Sequence, residues 1–212
     1  MKEDMQDMVS IARGRSLLYL WLSGLFLERP NDEIFRRFSQ KEVLTFLDGV
    51  FQDSKSYLKV KDTLVGGDAQ EVVTEYEKVF GGKGISPYSK DYLGEDSLEL
   101  VRAFYESLGL NVDLKELKSE DHVGLELAVM ASLCELEADE LESGRLKEAA
   151  IVQGSERAFL EEHMVKWVKD FAKAVEEKEP DGFYSSLAWL ANEMLELDLS
   201  LFEEAVQREE SQ

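Results

Sequence analysis

Positive charge, cysteine, histidine and proline are all scarce in this chain of 212 residues, and each scarcity excludes something. With Cys134 as the single cysteine, no disulfide framework can form within one chain. Its neighbours Leu127 to Leu133 are mostly apolar, which marks a buried thiol and a reducing, cytoplasmic setting. Only three prolines occur, and no Pro/Gly/Ser-rich stretch is long enough to link independent units, so residues 1–212 read as one domain. Lys and Arg number 24 against 45 Asp and Glu, a net charge of −21 that repels a phosphate backbone and excludes nucleic acid as a partner. The longest apolar stretch near the N-terminus, Leu17 to Leu27, falls short of the ~20 residues that span a bilayer. The segment before it, Met1 to Asp7, is acidic, and no small-residue cleavage site follows before Glu28-Arg29-Pro30, so the run reads as a core helix and not as a signal peptide.

What is present is helical periodicity from end to end, without sustained period-two alternation, and this predicts an all-α, multi-helix bundle. A first helix is expected from about Asp4 to Glu28, stopped by Pro30, and one or two more between Asp32 and Gln52. Gly66-Gly67-Asp68 punctuates the chain, with Asp68 and Glu71 in capping-box spacing; Asp96 and Glu99 repeat that spacing. Between them Gly81 to Tyr88 is the most irregular segment. Ser119 is the expected cap of a helix apolar over a wide arc, hence central to the bundle. Two further helices follow, Ser155 to Glu179 and Asp181 to about Gln207, divided by Pro180. Leu127, Met130, Leu133, Trp167, Phe171 and Leu187 are expected in one core. The acidic tail from about 203 to 212 is expected to fray, and no internal repeat suggests a solenoid.

Convergent chemistry is sparse. There is no nucleophile elbow and no strand-to-helix glycine fingerprint. Gly81-Gly82-Lys83-Gly84 lacks the Ser or Thr that a phosphate loop places after its lysine, and reads as a flexible loop. A carboxylate-bridged metal centre needs paired Glu-x-x-His elements; here position 119 is Ser and position 160 is Leu. His122 and Glu126 share a helical face at i, i+4, which leaves a metal- or nucleotide-dependent enzyme using His122, Glu126 and His163 as the alternative from another class, and a structural adaptor as a third. Asp121 and His122, adjacent in sequence, splay apart on a helix and make no catalytic dyad. They read either as a recognition pair or as a first-turn dipole partner beside a half-buried imidazole. Phe35-Arg36-Arg37-Phe38 imitates a twin-arginine motif, but it is internal and reads as an amphipathic helix with a basic edge.

Three stretches taken together resemble one family: Tyr76-Glu77-Lys78-Val79-Phe80-Gly81, then Ser86-Pro87-Tyr88 to Tyr92, then Glu120-Asp121-His122-Val123-Gly124-Leu125-Glu126-Leu127. Phe159-Leu160 with His163 and Trp167, and then Phe183-Tyr184, extend the match over most of the chain. The pattern is similar to the TorD/NarJ-like redox-enzyme maturation chaperones. Tyr88 stands where some relatives have Trp, and Ala128-Val129-Met130 replaces a more aromatic step. The resemblance implies an all-helical cytoplasmic chaperone, catalysing no covalent chemistry and carrying no cofactor or metal. It would bind the twin-arginine leader, and the body, of a molybdopterin oxidoreductase catalytic subunit, as a monomer or homodimer. The peptide-binding residues carried over are Pro87, Tyr88, Tyr92, Asp121, His122 and Glu126. An acidic helical protein offers what a leader of two arginines and an apolar stretch needs, carboxylates beside a greasy groove.

Overall fold

The computed structural model describes residues 2–110, 112, 114 and 117–210, the side chains of 2–4 and 204–210 excepted. Helices follow one another as α1 (Lys2–Leu27), α2 (Asp32–Phe38), α3 (Lys41–Phe51), α4 (Lys55–Gly66), α5 (Ala69–Phe80), α6 (Lys90–Leu93), α7 (Glu95–Ser107), α8 (Val123–Glu142) and α9 (Leu146–Glu162). A 3-10 turn (Met164–Lys166), α10 (Val168–Lys178) and α11 (Phe183–Glu210) complete the order. The fold is all-α, and among the described residues the only β-type pairing is an isolated antiparallel bridge between Tyr88 and His122.

The centre is the antiparallel pair α1 and α8. Ser23 Oγ donates to the Gly124 carbonyl at 2.7 Å at one end, and Arg13 bonds Glu142 at 2.7 Å at the other. α9 returns along α8 after a turn in which Gly144 takes φ +73, a conformation that costs glycine little. α10 and α11 pack against each other, and α4 and α5 pack on α11. Leu127, Met130, Leu133, Trp167, Phe171 and Leu187 are all buried in one contiguous core.

Several boundaries differ from expectation for physical reasons. The segment Asp32 to Gln52 is two helices, with Asn31 capping the first by accepting from Glu33 N and Ile34 N. Asp68 does cap α5, through Gln70 N at 2.8 Å. The Asp96 pattern does not cap α7; that helix starts at Glu95 after Gly94 at φ +92, which leaves Asp96 inside the first turn. The helix expected over Ser155 to Glu179 begins at Leu146 and breaks at His163, whose backbone leaves the helical region at φ −130, ψ −72. The break lets His163 and Trp167 reach the same carboxylate on α8. The backbone of α11 stays helical into the acidic tail as far as Glu210, and Ser211 and Gln212 lie outside the described residues.

Candidate functional site

The start of α8 is built by the chain that precedes it. Val123 N donates to the Pro87 carbonyl at 2.9 Å, and Ser89 N donates to the Asp121 carbonyl at 3.0 Å, so Tyr88 and His122 face each other in the antiparallel bridge. A strand-like pairing cannot also be the first turn of a helix, which is why Ser119 does not cap α8. His122 does so instead: its Nδ1 accepts from Gly124 N at 3.1 Å, a role that Ser, Thr, Asp or Asn usually fills. An accepting Nδ1 requires a neutral ring with its proton on Nε2. Burial agrees, pushing the His122 pKa down to about 4 against the opposing pull of Asp121.

Asp121 is turned away from its own helix. Fully buried, its Oδ2 accepts from Lys90 N at 2.9 Å, and Ser119 donates its hydroxyl to Oδ1. The carboxylate thus caps the short helix α6. Tyr88 closes the knot, with its ring edge-on to His122 at 5.2 Å and its hydroxyl accepting from Lys118 N at 3.1 Å. Tyr92 OH donates to the Ser86 carbonyl at 2.9 Å.

One turn along α8, Glu126 is also fully buried. Its Oε1 lies 2.8 Å from His163 Nε2, and its Oε2 accepts from Trp167 Nε1 at 3.0 Å. Desolvation raises the carboxyl's pKa, with the His163 and Trp167 hydrogen bonds opposing the rise. Trp167 then passes the packing outward to Tyr92 at 5.5 Å and Phe171 at 5.7 Å, and Phe171 meets Phe80, which packs on Tyr76 and Tyr184. Glu75 ties this cluster to α11: its carboxylate accepts from Phe183 N at 3.0 Å and Tyr184 N at 2.7 Å. A Cβ on Gly182 would come within 2.6 Å of that carboxylate, so a larger residue there would displace the Glu75 side chain from its present position.

The face of α8 next to the knot opens on a groove of about 1160 Å³ between α1, the end of α2, and α3. Its walls are apolar: Leu17, Leu20, Phe38, Phe46, Leu125 and Ala128 are among them. Gly24 lets Phe38 close against α1, since a Cβ there would sit 2.4 Å from the Phe38 ring. Leu17 and Leu20 are 57% and 56% exposed, an uncommon position for leucines on the most buried helix pair. Glu28, Glu42 and Arg37 supply its charges.

The family described as nitrate reductase delta subunit matches residues 52–173, more than half of the chain. The chain belongs to that family. It is similar to the chaperone protein TorD of Vibrio parahaemolyticus, 26% identical over 92% of this chain and 97% of that one. Similar too are those of Vibrio cholerae, 25% identical over 96% and 98% of the two chains, and of Aeromonas salmonicida, 25% identical over 92% and 94%. This is the TorD/NarJ-like grouping that the motifs resemble, and two of the stretches carrying the resemblance, around Pro87 to Ser89 and Asp121 to Val123, meet at the start of α8.

The six residues carried over from that resemblance do come together, although not as one exposed surface. Tyr88, Asp121, His122 and Glu126 are buried with their polar groups engaged inside the protein, while Pro87 and Tyr92 are half-exposed. His122, Glu126 and His163 do not assemble a metal centre: Nδ1 of His122 serves Gly124, and among the described residues no three His, Cys, Asp or Glu side chains are placed so that they could hold a metal ion. At the Gly81–Gly84 loop, Gly81 N turns back onto the Glu77 carbonyl at 3.0 Å and the following Ile85 N onto the Val79 carbonyl at 2.7 Å. The loop lies at the C-terminal end of α5, where the helix dipole repels anions. Sequence patterns did not single out the groove. Its signal was the run Leu17 to Leu27, apolar on every face of one helix, which is more apolar surface than a single core contact uses.

Proposed function

We propose that this protein is a cytoplasmic chaperone of a molybdopterin oxidoreductase, holding the enzyme's leader segment in the α1/α3/α8 groove until cofactor insertion is complete. The chemistry belongs to the client; the chaperone's work is binding. The observation that carries this reading is a built apolar groove with exposed leucines and a carboxylate at its edge, in a chain whose relatives bear the name chaperone. A leader with two arginines before an apolar helical stretch matches that groove in both respects. Asp121, His122, Glu126 and Tyr88 act by position: they fix where α8 begins, and so where Leu125 and Ala128 stand in the groove wall. Pro87 and Tyr92 keep surface that a longer client segment reaches. Among the described residues no helix is long and apolar enough to cross a membrane.

The test is titration of a fluorescent synthetic twin-arginine leader. Wild type should bind it, and Ala128→Phe, which puts a ring into the groove, should weaken binding at least tenfold with helicity unchanged. Equal affinity for the two proteins would remove the groove from the function.

A further inference from the structure

The groove holds a cation of its own. Arg37 is the only basic residue among its described lining residues; its guanidinium pairs with Glu28 and lies over the Phe38 ring, 4.7 Å from the centroid. A carboxylate and an aromatic face beside an apolar channel are what an arginine of a bound peptide would seek. Both of those partners line the groove, at the ends of α1 and α2. The pair is open to solvent, with side chains 49% and 39% exposed, so it adds little to stability and opens readily.

We propose that Arg37 is an internal competitor for Glu28, so that the groove admits an arginine-bearing apolar segment by exchanging one guanidinium for another. The inference rests on the groove reading above and adds a selectivity device to it. An apolar peptide without arginine leaves Arg37 in place and gains burial alone. A lysine peptide displaces it poorly, because an ammonium reproduces neither the planar fork nor the stacking on Phe38. Exchange also conserves the number of ion pairs at Glu28. Salt should therefore weaken arginine-peptide binding less in wild type than in a variant where Glu28 stands vacant.

The experiment titrates two peptides, the twin-arginine leader and its double Arg→Gln form, against wild type, Arg37→Gln, Glu28→Gln and Ala128→Phe, at two salt concentrations. Arg37→Gln should bind the arginine peptide about two- to fivefold more tightly, as expected for release of an exposed ion pair, with a steeper salt dependence and unchanged affinity for the glutamine peptide. Glu28→Gln should reduce the difference between the two peptides. If binding responds to Ala128→Phe but wild type and Arg37→Gln treat the arginine peptide alike, this inference fails and the groove stands. Equal tightening of both peptides by Arg37→Gln also overturns it, since that marks a wider groove and not a vacated carboxylate. Binding indifferent to Ala128→Phe overturns the groove reading and the exchange with it.

Discussion

A buried carboxylate must find its hydrogen bonds inside the protein, and Asp121 finds Lys90 N and the Ser119 hydroxyl across the knot. Asp121→Ala should cost ~1–3 kcal/mol of unfolding free energy, because it leaves the Lys90 amide unpaired at the head of α6. His122→Asn should cost less than His122→Ala, since an amide oxygen can still cap α8. Chemical denaturation of the three variants measures both. A second buried cluster lay outside the motifs altogether. Arg15 of α1 meets Asp198 of α11 at 2.8 Å, Glu137 of α8 at 2.9 Å and Glu156 of α9 at 2.5 Å, while Tyr19 donates to Asp198 at 2.8 Å and Cys134 lies 3.7 Å from Glu156. One cation faces three carboxylates, and Glu156 Oε1 has no partner. Desolvation, reinforced by Glu137 and Asp198 and opposed by Arg15, pushes the Glu156 pKa up to about 8. A raised carboxyl keeps its proton in the folded state after the unfolded chain has lost it. Its contribution to stability is therefore full below the unfolded value of 4.5 and is lost as pH rises toward 8. The depressed His122 has the opposite slope between about 4 and 6.5, so the Glu156 effect should be plainest from pH 6.5 to 8. Stability should fall there by up to ~1.4 kcal/mol per pH unit in wild type and much less in Glu156→Gln, read from denaturation midpoints at several pH values.

At the level of elements, most of the longer helices were legible from a 3.6-residue apolar repeat, α6 and the first turns of α9 were not, and the six core residues predicted all lie in the core observed. Also not legible were helix ends set by distant residues. Ser119 has the right chemistry for a cap, yet the pairing of 121–123 with 87–89 pre-empts it, and nothing local announces that pairing. The break after Glu162 is of the same kind, since Glu126 on another helix draws in His163 and Trp167. Glu75 is a further case, a side chain of α5 that caps the start of α11 across 108 residues of sequence. Glu75→Ala should destabilise the protein by ~1–2 kcal/mol and speed hydrogen exchange at Phe183 and Tyr184 more than elsewhere in α11. A loss spread evenly along the helix would mean that packing and not the cap holds its first turn. The packing around the start of α8 was legible in the motifs, whereas the apolar groove, lined by none of Pro87, Tyr88, Tyr92, Asp121, His122 or Glu126, was not. The residues Pro87 to Tyr92 and Asp121 to Glu126 meet as the sequence motifs suggested, but periodicity cannot tell a buried polar knot from an exposed one.

Over the whole molecule, the knot and the groove lie on successive turns of one helix, so that under the proposed function the same start of α8 would serve stability inward and a client outward. In the proposed function a net charge of −21 would draw in basic segments, and the apolar walls would set how long they stay. The most direct test of this division is hydrogen–deuterium exchange of the full chain with and without a twin-arginine leader peptide. Bound peptide should slow exchange in the second half of α1, in α3 and over residues 124–129, and leave the amides of 88–90 unchanged. Protection confined to 87–92, with α1 and α3 unaffected, would contradict the account.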